Sequence, residues 1–345
     1  MSAVEFDNVS IVFGDAPETA LPLMDEGQER PDIRAATGQV LGVHNCTLTV
    51  EEGEILVLMG LSGSGKSTLL RAVNGLNPVA RGEVRIRTPE GLTSVTQADS
   101  KTLRRLRLQS VAMVFQQFGL LPWRTVRDNV GLGLELGGQS AAKRAARVEE
   151  ELALVGLADR ADALVGELSG GMQQRVGLAR AFTTDAPILL MDEPFSALDP
   201  LIRTRLQDEL LELQAKRGRT IIFVSHDLDE AFKLGNRIAI MEGGRIVQIG
   251  TPRQIFTNPA NGYVAEFVAH MNPLGVLTAH DVMTPGPATG PEVDADTPVQ
   301  TIIDRITSQG SLTVTRDGAP VGQITQASLL SRLGGHHRPT AVDVG

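Results

Sequence analysis

One stretch decides the fold of this chain: Gly60-Leu61-Ser62-Gly63-Ser64-Gly65-Lys66-Ser67-Thr68, which has the pattern G-x-x-x-x-G-K-S. An apolar, strand-forming run precedes it at 54–59, and a helical pattern begins at Leu69. Backbone N–H groups of such a loop can approach phosphate oxygens because glycine carries no obstructing side chain. Lys66 is predicted to contact the β- and γ-phosphates, and the Ser67 hydroxyl is predicted to bind Mg²⁺. The order strand, loop and helix therefore predicts a nucleotide site in an α/β fold.

The composition is that of an acidic globular protein. The 345 residues carry a formal net charge of −9, and 42% of them are hydrophobic. Since no excess of basic residues is present, nucleic acid is not expected as a partner. The single cysteine, Cys46, cannot form an internal disulfide, which fits a reducing cytoplasm. The sequence shows no signal segment and no apolar run long enough to span a bilayer, so a membrane role is expected to depend on partner proteins.

A second stretch with the chemistry of an anion site lies at 168–175. Ser169 is predicted to cap a helix that begins with Gly170 and Gly171. The free N–H groups and the dipole at such a helix start favour an anion. A serine in this position is more often a plain cap, and that alternative stays open.

Two strand ends carry candidate catalytic groups. The apolar run 187–191 ends in Asp192 and Glu193, which are predicted to hold Mg²⁺ and to polarise the attacking water, respectively. A second apolar run, 220–225, ends in His226, at the edge where ligands bind in a doubly wound sheet. Carboxylates that merely end a strand, and a histidine with a structural role, are the alternatives.

The pattern elsewhere predicts a strand at the edge of a sheet over residues 4–13. The polar, proline-containing segment that follows, 14–38, is predicted to be a loop with a short helix at 22–28. Helical periodicity with many charges predicts a surface helix at 141–155.

Taken together, these stretches resemble the ATP-binding subunit of ATP-binding cassette (ABC) transporters over about residues 4–270, with the family's motifs in order. The resemblance implies a P-loop ATPase with a mostly parallel sheet core, an antiparallel β subdomain and an α-helical signature subdomain. It implies catalytic roles for Glu193, His226, Gln116 and Lys66. It implies metal contacts from Ser67, Gln116 and Asp192, and nucleotide contacts from Phe13, residues 60–68, Ser169, Gly170, Gly171 and Asp199.

One position departs from the family's commonest pattern, and a second position has a competing interpretation. Met172 stands where the commonest form of the LSGGQ signature has glutamine, a change the family tolerates. Phe13 is similar in place to the aromatic residue that stacks on adenine, but a core phenylalanine is a competing interpretation.

The resemblance also implies cofactors and partners. Two such subunits dock head to tail, and each ATP, with Mg²⁺, lies between the P-loop of one subunit and Ser169 and Gly171 of the partner subunit. One copy of each motif therefore implies a homodimer. Integral membrane permease subunits and, through them, a solute-binding protein complete the importer, on the cytoplasmic face of the inner membrane. Trp123, in a proline-containing loop, is either an interface residue or a local packing anchor.

The stretches 114–122, 195–203 and 225–231 resemble the glycine betaine, proline and choline importers, and residues 272–279 resemble the choline branch. The implied function is ATP-driven uptake of a quaternary ammonium solute. The nucleotide domain does not touch that solute, so another small-solute importer stays an alternative, as does a non-transport ABC ATPase.

The domain prediction places the ABC ATP-binding domain at 1–270, with a family insertion at 14–42 and a helical subdomain at 125–180. A linker at 271–277 leads to a small α+β tail at 278–335, which resembles a single CBS motif. Ser328 stands where the ribose-binding aspartate of that motif is expected, so a structural or dimerising role is favoured. A flexible end at 336–345 includes His336 and His337, predicted to be an exposed pair rather than a metal site.

Overall fold

The computed structural model describes residues 1–269, 271–286 and 289–335. The chain groups into two units, the first made of residues 1–226 and 239–246 and the second of 227–238 and the described residues from 247 onward. The predictions for 336–345, including the pair His336 and His337, lie outside the described residues. The predicted domain boundaries themselves stay predictions.

The first unit contains most of the strands and helices. Its strands are β1 (Ser2–Phe13), β2 (Val40–Glu51), β3 (Ile55–Met59), β4 (Arg81–Thr88), β5 (Gly91–Ser94), β6 (Val111–Val114), β7 (Ile188–Asp192) and β8 (Thr220–Val224). Its helices are α1 (Leu21–Asp25), α2 (Arg30–Thr37), α3 (Lys66–Ala72), α4 (Ser100–Gln109), α5 (Val126–Val130), α6 (Leu132–Leu136), α7 (Ala141–Leu154), α8 (Gly170–Phe182) and α9 (Pro200–Arg217). Short 3-10 helices cover Pro17–Ala20, Ala158–Arg160 and Val165–Glu167.

A parallel sheet forms the centre of this unit. Strands β3, β8, β7 and β6 lie side by side in that order, and each neighbouring pair is parallel. Every residue of β3, β7 and β8 is buried, as expected for strands covered on both faces. Because parallel strands end at a common edge, the residues that follow Met59, Val114, Asp192 and Val224 meet there.

A second, antiparallel sheet has the strand order β2-β1-β4-β5. The prediction that residues 4–13 form an edge strand is wrong, because β1 pairs with β2 on one side and with β4 on the other. The alternating pattern of a strand identifies its buried face but does not report which neighbours pair with it.

The segment between β1 and β2 is largely helical. The short helix predicted at 22–28 is present in part as α1, whereas the prediction that the rest of the segment is a loop is wrong. The segment forms the 3-10 helix Pro17–Ala20 and then α1 and α2. Pro31, read as a loop signal, lies in the first turn of α2, where proline is tolerated. Ile33 of α2 is fully buried and packs in one cluster with Val12, Ala20, Met24 and Leu41.

Helices α5 to α8 occupy 126–182, in the region predicted to be a helical subdomain. Helices α5 and α7 pack against α8. The predicted surface helix at 141–155 is present as α7.

The second unit contains the remaining elements, apart from β9 (Arg237–Glu242) and β10 (Arg245–Gly250), which have residues in both units. It includes α10 (Leu228–Leu234), α11 (Pro252–Thr257), α12 (Gly262–Val268), a 3-10 helix at Pro273–Gly275, α13 (Ala279–Val282), β11 (Glu292–Asp294), α14 (Val299–Gln309), β12 (Ser311–Arg316), β13 (Ala319–Thr325) and α15 (Gln326–Gly335). Strand β12 pairs in parallel with β11 and antiparallel with β13.

The tail therefore has the α+β character that was predicted, while its assignment as a CBS motif stays a prediction. Ser328 has a structural role here: its hydroxyl accepts from the Thr325 N–H at 3.0 Å, and its own N–H donates to the Thr325 hydroxyl at 3.1 Å. No helix within the described ranges is both long and apolar enough to cross a membrane.

Candidate active site

The predicted phosphate-binding loop joins the end of β3 to the start of α3, as its sequence requires. Gly60, Gly63 and Gly65 have φ values of +139°, +77° and +101°. At Gly60 a Cβ atom would lie 2.1 Å from the carbonyl oxygen of Met241, so no larger residue fits. The loop geometry therefore depends on glycine for a steric reason.

Lys66 is the first residue of α3, and its ammonium group lies inside the loop. Its Nζ donates to the carbonyl oxygens of Gly60 at 2.9 Å and Leu61 at 3.0 Å. Burial lowers the pKa of Lys66, and the nearby carboxylates of Glu193 and Asp192 oppose that shift. The side chain is thus a buried cation held by carbonyl groups, ready to exchange them for phosphate oxygens.

Asp192 ends strand β7 and is fully buried. Its Oδ1 accepts from the Ser67 hydroxyl at 2.6 Å, and its Oδ2 accepts from Nη2 of Arg71 at 2.8 Å. The sequence analysis missed Arg71, because no local pattern links residues 121 positions apart. Two donors thus fix the orientation of this carboxylate.

Glu193 directly follows and is held by groups from two other strand ends. Its Oε2 accepts from Nε2 of Gln116 at 3.2 Å and lies 3.3 Å from Nδ1 of His226. Its backbone is left-handed, with φ +49°. Nε2 of Gln174, a buried residue of α8 that sequence reasoning also missed, donates to the Glu193 carbonyl oxygen at 3.1 Å. The three residues predicted from sequence to act together are therefore adjacent in space.

A cavity of about 1130 Å³ connects the loop with these groups. Most of the predicted site residues line it, namely Phe13, Ser62, Gly63, Gly65, Lys66, Ser67, Thr68, Gln116, Glu193 and His226. Four further lining residues come from α2, which the sequence analysis did not connect with the site. Phe13 is 38% exposed and lies on the cavity wall, so it is not a core residue.

Eight predicted residues do not line this cavity. Gly60, Leu61 and Ser64 belong to the phosphate loop, and Asp192 contacts it through Ser67. The other four are Ser169, Gly170, Gly171 and Asp199. Ser169, Gly170 and Gly171 lie at the start of α8, where the Ser169 hydroxyl accepts from the Met172 N–H at 3.4 Å and so forms the predicted cap. Asp199 caps α9 by accepting from the Ile202 N–H at 3.0 Å.

The residues present fit a magnesium nucleotide. Ser67 and Asp192 offer a hydroxyl and a carboxylate oxygen 2.6 Å apart, which are ligands of the type that Mg²⁺ prefers. The Ser64 hydroxyl in the loop is buried and has no hydrogen-bond partner among the described residues, so the loop carries an unsatisfied donor. Positive charge at Lys66, beside loop N–H groups and the start of α3, supplies the electrostatic complement of phosphate.

Comparisons with known proteins agree with this geometry. Residues 43–196 match the family model described as ABC transporter. The chain is 49% identical over 284 residues to the glycine betaine/proline betaine transport system ATP-binding protein ProV of Salmonella typhimurium, covering 82% of this chain and 70% of that protein. It is 43% identical over 329 residues to the trimethylamine N-oxide transport system ATP-binding protein TmoW of Ruegeria pomeroyi, covering 94% and 95% of the two chains.

Among solved structures, a dimeric ATP-binding cassette in a post-hydrolysis state, bound to ADP and Pi, superposes with a TM-score of 0.62. It is 31% identical, and the match covers 72% of this chain and 99% of that chain.

A phosphate loop after a central strand, with two carboxylates and a histidine at the same sheet edge, defines a P-loop nucleotide-binding cassette. Such a site binds ATP and hydrolyses it. The chain belongs to the ATP-binding subunits of ABC transporters, in the group that includes the glycine betaine, proline betaine and trimethylamine N-oxide systems.

Proposed function

We propose that this protein is the ATP-hydrolysing subunit of an importer that takes up a quaternary ammonium solute, choline or glycine betaine, across the cytoplasmic membrane. The observation that carries the catalytic part is the cluster of Gln116, Glu193 and His226 beside the phosphate loop in one cavity. The solute class is supported by the relatives, whose names give glycine betaine, proline betaine and trimethylamine N-oxide as the transported solutes.

In the proposed reaction Glu193 is the general base that accepts the proton of the attacking water. Gln116 and His226 hold its Oε2 in place, at 3.2 Å and 3.3 Å. Lys66 stabilises the charge on the γ-phosphate, and Ser67 and Asp192, with Gln116, would hold Mg²⁺. When bound, the metal neutralises phosphate charge; the protein supplies position and electrostatics rather than covalent chemistry.

The active form proposed is a head-to-tail homodimer. Ser169, Gly170, Gly171 and Asp199 lie outside the cavity of their own chain, which supports a role at the ATP of a second subunit. In such a dimer ATP stabilises the closed form and hydrolysis releases it.

The proposed partners are integral membrane permease subunits and, through them, an extracytoplasmic solute-binding protein, with this subunit peripheral to the membrane on its cytoplasmic side and without a nucleic-acid partner. Trp123 is 73% exposed, which does not fit a packing anchor and supports an interface role for its loop.

The catalytic assignment is tested by comparing the wild type with Glu193→Gln. We expect kcat for ATP hydrolysis to fall at least about 100-fold, because the base is lost. ATP binding should be retained, and size-exclusion chromatography should show an ATP-dependent dimer. A matched control is Glu90→Gln, which removes an exposed carboxylate outside the cavity and should leave kcat unchanged.

Equal turnover by the wild type and Glu193→Gln would overturn the assigned base. If neither protein forms an ATP-dependent dimer, even with the permease present, the proposed homodimer is wrong. Omitting Mg²⁺ should abolish hydrolysis by the wild type.

The solute is tested in proteoliposomes that contain the permease, the binding protein and this subunit. ATP-dependent uptake of labelled choline, glycine betaine and trimethylamine N-oxide should be compared, with Glu193→Gln as the inactive control. Uptake of an amino acid in place of all three would favour another small-solute importer.

A further inference from the structure

Helix α2 of the insertion presents one face to the cavity. The four lining residues it contributes are Arg30, Pro31, Arg34 and Ala35. Their spacing, i, i+1, i+4 and i+5, places them on a single side of the helix. Ile33, which lies outside this set, is fully buried in the cluster that anchors the insertion. The helix is thus fixed by its apolar contact, with two guanidinium groups on the cavity side.

Arg30 connects α2 to two segments of the site. Its Nη1 donates to the carbonyl oxygen of Gly63 at 2.8 Å, and its Nη2 donates to the carbonyl oxygen of Gly42 on β2. The planar fork thereby links the phosphate loop with the strand beside it. Burial lowers the pKa of this guanidinium, and its Nε has no hydrogen-bond partner among the described residues. Such a residue fixes the peptide group that follows Gly63.

Arg34 lies one turn further along the same face and is exposed. Among the described residues its guanidinium makes no hydrogen bond or ion pair. It is six positions before Val40, which also lines the cavity and pairs with Phe13 across β1 and β2. Arg34, Val40 and Phe13 thus line the same cavity. A cation without a hydrogen-bond or ion-pair partner among the described residues, in a cavity that an aromatic ring also lines, favours an anionic and aromatic ligand.

We propose that α2 is a nucleotide-binding element: Arg30 is a positioning residue for the phosphate loop, and Arg34 contacts the nucleoside part of ATP. The inference rests on the nucleotide site proposed above and adds α2 to the elements that bind the nucleotide. Because Arg34 contacts the nucleoside end, it recognises ATP and ADP alike and contributes little to the γ-phosphate chemistry.

The test measures binding of fluorescent ATP and ADP analogues to the full chain, together with kcat and KM for ATP. Arg34→Ala should weaken ATP and ADP binding by similar factors of about tenfold, the size of one charge-assisted hydrogen bond. Its KM should rise more than its kcat falls. Arg34→Lys should restore part of the affinity.

Arg30→Ala should also raise KM by about tenfold, and Arg30→Lys should not rescue it, because an ammonium group cannot span both carbonyl oxygens. Arg104→Ala, which removes an exposed charge from α4 outside the cavity, is the matched control and should change neither KM nor affinity. Thermal unfolding of each variant establishes that it is folded.

Three outcomes are distinguishable. If Lys66→Ala abolishes binding while Arg34→Ala and Arg30→Ala bind like the wild type within twofold, the role of α2 is overturned and the site stands. If Lys66→Ala binds normally, the proposed site itself is wrong. If Arg34→Ala weakens ATP but not ADP, the contact is to the γ-phosphate, and the assignment to the nucleoside end is overturned.

Discussion

The two sides of the cavity are built in different ways. The phosphate wall, formed by the P-loop (60–68) and Glu193 with the buried Asp192 behind them, is held by hydrogen bonds at the ends of the central strands. The insertion wall, formed by Phe13 and α2, is attached through one apolar cluster and the two hydrogen bonds of Arg30. Substitutions in the phosphate wall should therefore disturb both stability and chemistry, while those in the insertion wall should change mainly nucleotide affinity.

The largest effect is expected from Arg71→Ala, behind the phosphate wall. Removing this guanidinium leaves the fully buried carboxylate of Asp192 with the Ser67 hydroxyl as its remaining side-chain donor among the described residues. Leaving a buried charge unpaired destabilises a protein on the order of 3 kcal/mol. Urea unfolding without nucleotide should show this loss in the free energy of unfolding.

The matched control for Arg71→Ala is Arg105→Ala, which breaks an exposed pair with Glu90. Exposed pairs contribute less than about 1 kcal/mol. Equal losses in the free energy of unfolding for the two variants would show that the ion pair of Arg71 with Asp192 does not stabilise the phosphate wall.

An intermediate effect is expected from Gly42→Ala, where the two walls meet. A Cβ atom there would lie 2.8 Å from Cε2 of Phe13 and 3.1 Å from Cγ2 of Thr68. The Phe13 ring is partly exposed and can move, so the fold should lose only about 1 kcal/mol while KM for ATP rises several-fold. Kinetics and thermal unfolding measure the two effects.

Gly166→Ala is the control for that variant, because nothing lies within 4 Å of the added Cβ. It should change the free energy of unfolding by less than about 0.5 kcal/mol and leave KM unchanged. If Gly42→Ala leaves the KM for ATP unaltered, Phe13 does not contribute to nucleotide binding.

The smallest effect concerns Cys46 on β2, whose thiol donates to the Gly244 carbonyl oxygen at 3.4 Å. Burial raises the pKa of this thiol to about 11. Alkylation at pH 8 should therefore be at least about 100-fold slower than in the unfolded chain, where the pKa is about 8.5. The rate should rise with pH towards 11. Fast labelling of the folded protein at pH 8 would show that this side of the structure opens readily.

The same shift has a consequence for stability. Since the folded pKa of Cys46 is raised, its contribution to the free energy of unfolding is complete below the unfolded value of about 8.5 and is lost as pH rises towards 11.

The phosphate wall could be predicted from sequence because its residues follow directly from buried strands. The motif at 60–68 and the pair Asp192 and Glu193 each follow an apolar run, and parallel strands bring such ends to one edge. The capping role of Ser169 was predictable for a similarly local reason.

The rest depends on contacts between distant parts of the chain. Arg71 and Asp192 are 121 residues apart, and Arg30 reaches Gly63 across 33 residues, so no local pattern reports either contact. The helix α2 was mistaken for loop because it has one buried apolar residue, Ile33, and a proline in its first turn. The position of β1 inside its sheet is likewise set by pairing with β4.

Glu193 has a left-handed backbone, which is strained for any residue other than glycine by on the order of 1–3 kcal/mol. A glycine at this position would relieve that strain and remove the carboxylate. At position 193, thermal stability thus favours glycine, whereas ATP turnover requires the carboxylate. A directed-evolution screen that selects for thermal stability alone should accumulate inactive proteins through this position, and it needs an ATPase selection alongside it.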